Sequence, residues 1–394
     1  MWFKIFALNP QIFNFFSLEE INCLFKFITL SRFKKVYLLS TNFSSGEVDF
    51  QIIKKLSNIL ADSGIGMEIL TKKEVKAKKG SKLWIKKIEE KENVSPTQIL
   101  FLGRHDNPYD YFTAINRGAL FCCIAKRRLC EEIRKYSLYL SDVKKLNLIS
   151  RIFKGDTPLY TYKLDFNNVH YRGLVNRSTQ FKSDDGTLFS VYEIFKDENA
   201  IRDKTIWKIK VEGILFLFLV AQLWKEGVIT RNTIICVYPS HLSQKIPSES
   251  KLGKYLDLFK GFFGCYYRDL LIRIKNTEDK SICRMRGDYH RISFRKECET
   301  LGINKEVREK LEGKTIIVVD DFSTTGMSLE AARIKLLESG AREVYGISVG
   351  KYGIDYTIFD KEGNEIEKQA LERDVKSESL IISILNPENF LFSF

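Results

Sequence analysis

Residues 314–328, KTIIVVDDFSTTGMS, constrain the fold more than any other stretch of this chain. Residues 315–319 are apolar or β-branched without alternation, which predicts a strand covered on both faces. Two carboxylates, Asp320 and Asp321, stand at its end, followed by the polar turn Phe322, Ser323, Thr324 and Thr325. Gly326 permits a tight turn, and Leu329, Ala332 and Leu336 then recur at helical spacing. The helix is expected to stop at Gly340, and residues 343–349 (EVYGISV) read as the next strand. Such a β-loop-α-β unit crosses over right-handedly in a parallel sheet.

That turn has a specific chemistry. Backbone N–H groups at a helix N-terminus, helped by hydroxyls, cradle a phosphate monoester, and Thr324, Thr325, Gly326, Met327 and Ser328 stand where they would do so. Asp320 and Asp321 can accept hydrogen bonds from two vicinal sugar hydroxyls, so a ribose 5′-phosphate suits both halves. The run resembles the phosphoribosyl-pyrophosphate (PRPP) motif of type I phosphoribosyltransferases, with Phe322 and Met327 at positions where such families vary. The resemblance implies an α/β fold of that type for the C-terminal half. It assigns Asp320 and Asp321 to the catalytic site and residues 322–328 to PRPP binding.

Two upstream segments would complete such a site. Residues 233–238 (TIICVY) form another apolar strand, ending in Pro239, Ser240 and His241. In the family the loop after the corresponding strand contacts pyrophosphate, and this one resembles the loop of ComF-like members. Residues 283–296 are basic and polar and resemble the mobile loop that closes over bound PRPP. Arg284, Arg286, Arg291, Arg295 and Lys296 would then neutralise pyrophosphate; the competing reading is a solvated basic helix. His241 and His290 read as structural or surface residues rather than catalytic bases.

The resemblance implies displacement of pyrophosphate from C1 of PRPP by a nucleobase-like nitrogen. Positioning, electrostatics and exclusion of water would carry the step rather than covalent catalysis. Mg2+ carried by the PRPP is the cofactor implied, since it keeps its waters and takes few protein ligands. No protein metal-ligand set is expected. The acceptor is chosen in the family by a variable hood, which residues 160–203 or the C-terminal tail would build here.

At 394 residues the chain is long enough for two domains, taken as 1–150 and 151–394. The eight cysteines show no metal-ligand spacing, and Cys122 and Cys123 sit inside an apolar run that suits a buried strand. With no leader sequence recognised, the expectation is reduced thiols and a cytoplasmic protein. The longest apolar stretch, residues 214–221 within 214–223 (ILFLFLVAQL), falls well short of the ~20 residues a spanning helix needs. It reads as a core helix, and no membrane contact is expected.

The net charge of +13 is lopsided: residues 1–150 hold 25 Lys and Arg against 15 Asp and Glu. This is open to two readings, a nucleic-acid footprint or a Lys-rich solvated surface. The first 150 residues alternate strand and helix, with strands at 35–40, within 94–102 and at 119–125, helices at 50–63 and 81–91, and a helix running through 114–118. That predicts a second parallel-sheet domain. It resembles the later part of haloacid-dehalogenase-like hydrolases, with Ser40 or Thr41, Lys79 or Lys82, and Gly103 with Asp106 or Asp110 at the matching places. The first strand lies in residues 3–10 (FKIFALNP), which carry no carboxylate nucleophile, and Arg104 replaces the usual acid. Aspartyl-phosphate chemistry is therefore read as lost, and the domain as one used for binding, assembly or regulation. An unrelated Rossmann-like domain is the other reading.

Three functions stay open on sequence: a PRPP-dependent phosphoribosyltransferase acting on a base-like acceptor, a PRPP- or nucleotide-binding regulator without turnover, and a nucleic-acid-associated protein. Family analogy adds a homodimer. Residues 356–359 and 380–385 are candidate strands of the C-terminal tail.

Overall fold

The computed structural model describes residues 3–40, 49–153, 158–196, 204–206, 209–230, 232–258, 269–288 and 293–385. Thr41, His290 and Arg291 lie outside the described residues, as does the side chain of Arg284. The chain divides into two compact units, the first built mainly on Met1–Thr157, the second on Pro158–Leu256 and Cys265–Phe394.

The first unit is a six-stranded sheet of β1 (Ile5–Leu8), β2 (Lys35–Ser40), β3 (Gly66–Thr71), β4 (Ile99–Gly103), β5 (Leu120–Ile124) and β6 (Leu138–Leu140). All pairings are parallel, in the order β3-β2-β1-β4-β5-β6. β1, β4 and β5 are buried along their whole length, which is why they read as unbroken apolar runs. The connections carry α1 (Leu18–Leu30), α2 (Phe50–Asp62), α3 (Lys72–Val75), α4 (Leu83–Glu92), α5 (Pro108–Ile115), α6 (Glu131–Tyr136) and α7 (Leu146–Ile152). α1 starts at a capping box between Ser17 and Glu20 and buries Ile21, Leu24, Phe25 and Ile28 along one face. α7 continues past residue 150 and belongs to the first unit. Because the chain begins at β1 and later returns to β4 beside it, the strand order switches direction between these two strands, where doubly wound sheets open a crevice.

The second unit begins with the antiparallel pair β7 (Tyr162–Phe166) and β8 (Val169–Asn176), joined by a two-residue turn in which Asn167 has φ 51°. Two short antiparallel pairs follow: β9 (Gln180–Lys182) with β10 (Leu188–Ser190), and β11 (Thr205–Ile206) with β12 (Ile209–Lys210). α8 (Val191–Lys196) lies between these pairs. α9 (Val211–Lys225) is apolar on nearly all sides and buries Leu215, Leu217, Phe218, Leu219 and Val220. It is a core helix for that reason. β13 (Thr233–Val237), α10 (Lys251–Leu258), β14 (Leu271–Arg273), α11 (Lys280–Arg286), α12 (Phe294–Thr300) and β15 (Leu301–Ile303) lead to β16 (Thr315–Ser323), α13 (Met327–Glu338) and β17 (Glu343–Lys351). The chain then forms β18 (Asp355–Phe359), β19 (Glu365–Ala370), β20 (Glu372–Arg373) and α14 (Val375–Leu385). No helix among the described residues is long and apolar enough to cross a membrane.

The main sheet of this unit runs β13-β16-β17-β8-β7-β20. β13, β16, β17 and β8 are parallel, whereas β7 and β20 are antiparallel additions at one side. The sheet is thus mixed, where sequence suggested an all-parallel one; the tight Asn167 turn permits only an antiparallel partner for β8. β7 and β8 therefore belong to the sheet rather than to a hood over residues 160–203. Residues 380–385 are helical, not a strand: Ile381, Ile384 and Leu385 are buried at helical spacing, and Asp374 bonds the amides of Lys376 and Ser377 at the helix start. A short apolar run alone does not distinguish the two periods.

Candidate functional site

The carboxyl ends of β13 and β16 and the start of α13 border one cleft of about 1350 Å3. β16 extends beyond the expected apolar run, so that Asp320 pairs in register with Ser348, Phe322 with Gly350 and Ser323 with Lys351. Both acids line the cleft and are half-buried. The Asp321 amide donates to Asp320 Oδ1 at 2.9 Å, and the Phe322 amide to Asp321 Oδ1 at 2.7 Å. These bonds hold successive carboxylates at the strand end.

The following turn is tightly determined. Gly326 has φ 81°, and a Cβ there would stand 2.3 Å from Cε2 of Tyr356. Tyr356 is in turn held by Glu330, to which its hydroxyl donates at 3.1 Å, and Glu330 is buried in a two-pronged pair with Arg333. Gly326 is also the N-cap of α13 and has no side chain to cap it, so the N–H groups of the first turn are available to solvent or an anion. From the opposite side, buried Lys351 at the end of β17 donates to the carbonyls of Thr324, Tyr352 (2.9 Å) and Asp355 (2.8 Å). Burial pushes its ammonium down to about 8, against the weaker pull of Asp355. Ser323, Thr324, Gly326, Met327 and Ser328 line the cleft. Thr325 is engaged on its other side, its carbonyl accepting from the Thr357 amide at 2.8 Å.

One wall is aromatic. Phe322 packs against Tyr192 (5.8 Å between ring centres), Phe195 (6.1 Å) and Tyr352 (5.8 Å). The Arg177 guanidinium lies 4.2 Å from the centre of the Tyr352 ring. Phe322 also leans over Gly350, where a Cβ would meet it at 2.2 Å.

The opposite wall is the segment after β13. Pro239, Ser240 and His241 line the cleft, and the His241 carbonyl accepts from the Thr277 amide at 2.8 Å. The loop is fastened to Arg273, whose Nε donates to the Ser240 carbonyl at 3.1 Å. Arg273 is buried and also pairs with buried Glu297 at 2.7 Å, which accepts from the Tyr238 hydroxyl and from Lys280. Burial alone would raise the Glu297 carboxyl, but Lys280 and Arg273 hold it down to about 2.

The basic segment expected to close the site folds in part into α11 and α12. Arg286 and Arg295 are exposed and are not among the residues lining the cleft; Arg295 instead pairs with Glu299 at 3.1 Å along its own helix. Lys296 is likewise exposed. The cations that do line it include Lys280, Arg273 and Arg177, which sequence reasoning passed over. Arg273 shares the buried face of β14 with Leu271, two residues away along the strand. Glu297, inside the charged run RKECE, carried no signal in the sequence.

In the first unit, residues flagged from sequence meet at the carboxyl ends of β1 and β4. Buried Asp110 accepts from Asn9 Nδ2 (2.6 Å), the Arg104 amide (3.0 Å) and Lys79 (3.1 Å). Arg104 makes two bonds to Asp106 and one to Gln11, each 2.9 Å. Gly103 is required by close packing, since a Cβ would lie 2.5 Å from Phe121 and 2.8 Å from Asp110. Ser40 is buried at the end of β2, and Lys82 is exposed. Asp110 is thus occupied by its own neighbours. No group of three or more His, Cys, Asp or Glu among the described residues could hold a metal ion.

No protein-family model matches the chain. A search of curated proteins finds no match.

Proposed function

We propose that the second unit is a PRPP-dependent phosphoribosyltransferase, transferring ribose 5-phosphate to a base-like acceptor with release of pyrophosphate. The observation that carries this reading is the convergence on one cleft of an acidic strand end, a glycine turn opening a twelve-residue helix, and the loop after the neighbouring strand. Asp320 and Asp321 would hold the ribose hydroxyls, and Thr324 to Ser328 the 5′-phosphate. Pro239, Ser240 and His241 would border the pyrophosphate. The aromatic wall of Tyr192, Phe322 and Tyr352 suits a planar acceptor. The oxygen donors at the end of β16 fit a hydrated Mg2+ carried by the pyrophosphate, which would neutralise charge on the leaving group. The residues themselves orient the sugar and exclude water.

The test is Mg2+-dependent pyrophosphate release from PRPP across a panel of bases. Asp321→Asn should cut the rate about 100-fold or more with melting unchanged. Absence of turnover with every base, in protein that still binds PRPP by calorimetry, selects the second reading, a PRPP- or nucleotide-binding regulator. The exposure of Arg286 and Arg295 outside the cleft favours that alternative. Absence of both turnover and binding defeats both readings.

A further inference from the structure

A buried ion cluster lies under the wall of the cleft formed after β13, and its charges do not cancel. Glu297 and Arg273 are nearly inaccessible, with side chains 3% and 2% exposed, and pair with each other at 2.7 Å. Arg273 already neutralises that carboxylate, and it also binds the Ser240 carbonyl and the Thr300 hydroxyl (2.9 Å). Lys280 joins the same carboxylate through its other oxygen at 2.7 Å. Two cations thus face one anion within the buried trio, and the Asp320 carboxylate at the end of β16 also draws on the Lys280 ammonium from the cleft side. All three border the cleft, and Lys280 is the most accessible of them, its side chain being 22% exposed against 2% and 3%.

The position of Lys280 gives that surplus charge a direction. Its ammonium also donates to Ser328 Oγ at 2.7 Å. Ser328 is the second residue of α13, within the uncapped first turn where the backbone partial charge is positive. A phosphate oxygen accepting from the Ser328 hydroxyl at an ordinary ~2.7 Å would sit beside the Lys280 ammonium. Glu297 anchors the ammonium from behind, so little side-chain freedom remains to be lost on binding.

We infer that Lys280 is a ligand-binding residue that completes the phosphate cradle at the start of α13, contacting the terminal phosphate monoester of a sugar phosphate. The assignment rests on the sugar-phosphate reading of the cleft and deepens it. It places the cation for that group on α11, ahead of the arginine-rich residues 284–295. The anion itself would replace Glu297 as neither partner nor anchor: the lysine keeps one hydrogen to the carboxylate and gives another to the phosphate.

The experiment is calorimetric titration of the full chain with ribose 5-phosphate and, separately, with PRPP. It compares wild type, Lys280→Met and Lys280→Arg, with thermal melting of each protein. Lys280→Met leaves Glu297 paired with Arg273 and Tyr238, so the melting transition should survive. Binding of both ligands should weaken about 10- to 100-fold, the worth of a charge-assisted hydrogen bond. Lys280→Arg should restore it to within a few-fold. If Lys280→Met fails to fold, Lys280→Gln, which keeps a donor toward Glu297 but no charge, gives the same comparison. Equal binding by wild type and the uncharged variants overturns the assignment while leaving the sugar-phosphate reading intact. Weakening with PRPP but not ribose 5-phosphate also overturns it, because the contact would then be to pyrophosphate. A wild-type chain that binds neither ligand removes the sugar-phosphate reading and this assignment with it.

Discussion

Gly326→Ala probes whether the turn between β16 and α13 is rigidly supported, and Gly353→Ala is its internal control. Both glycines have positive φ, 81° and 63°, but their surroundings differ. A Cβ at Gly353 meets nothing within 4 Å, whereas at Gly326 it would lie 2.3, 2.5 and 2.6 Å from three atoms of the Tyr356 ring. That ring has no room to retreat. It is 1% exposed, packs 5.0 Å from Tyr171 and is tethered through its hydroxyl to Glu330. The left-handed backbone costs an alanine about 1–2 kcal/mol at either site. Overpacking adds about 1–3 kcal/mol at Gly326 alone. Gly353→Ala should therefore lose about 1–2 kcal/mol and Gly326→Ala about 2–5 kcal/mol. Urea denaturation reads this as a larger fall in midpoint for Gly326→Ala at an unchanged slope. Equal losses in the two variants would refute the reasoning, since they would mean that Tyr356 does not buttress the turn.

The remaining expectations concern buried charge. Lys351 releases its proton near 8 in the fold because of burial, whereas the unfolded chain holds it to about 10.4. Between those values the unfolded state binds more protons, so stability should rise with pH by about 3 kcal/mol; urea midpoints against pH should lose this component in Lys351→Met. Glu297 carries the same sign in the acid range, because its carboxyl is also depressed in the fold. Its carboxyl sits at about 2, so its contribution of about 3 kcal/mol is complete above pH ~4.5 and vanishes as pH falls through 2. Glu297→Gln, leaving Arg273 and Lys280 without their carboxylate, should cost about 3–5 kcal/mol at neutral pH in the same assay. Asp110→Ala should cost a similar ~3–5 kcal/mol in the first unit by stranding Lys79. Hydrogen exchange at the β4 amides measures it, and unchanged protection there would count against the buried pair.

Much of the framework is written locally. The apolar run at 315–319, the turn glycine and the spacing of Leu329, Ala332 and Leu336 specify β16 and α13 without tertiary help, because each signal lies within one element. The same holds for β2, β4, β5 and the buried helix α9. What the chain could not declare by itself depended on pairing between distant segments. Whether residues 380–385 become helix or strand was decided by the face they bury, and the mixed sheet by β7 folding back on β8 and by β20, from the far end of the unit, adding to β7. The cluster of Tyr238, Arg273, Lys280 and Glu297 comes from four separate segments, and in sequence each looks like an ordinary surface or strand residue. A carboxylate and two cations find stable burial only where folding brings them within hydrogen-bonding distance. Periodicity, a property of neighbours, reveals elements; electrostatic partnership, a property of the folded whole, arises only after those elements pack.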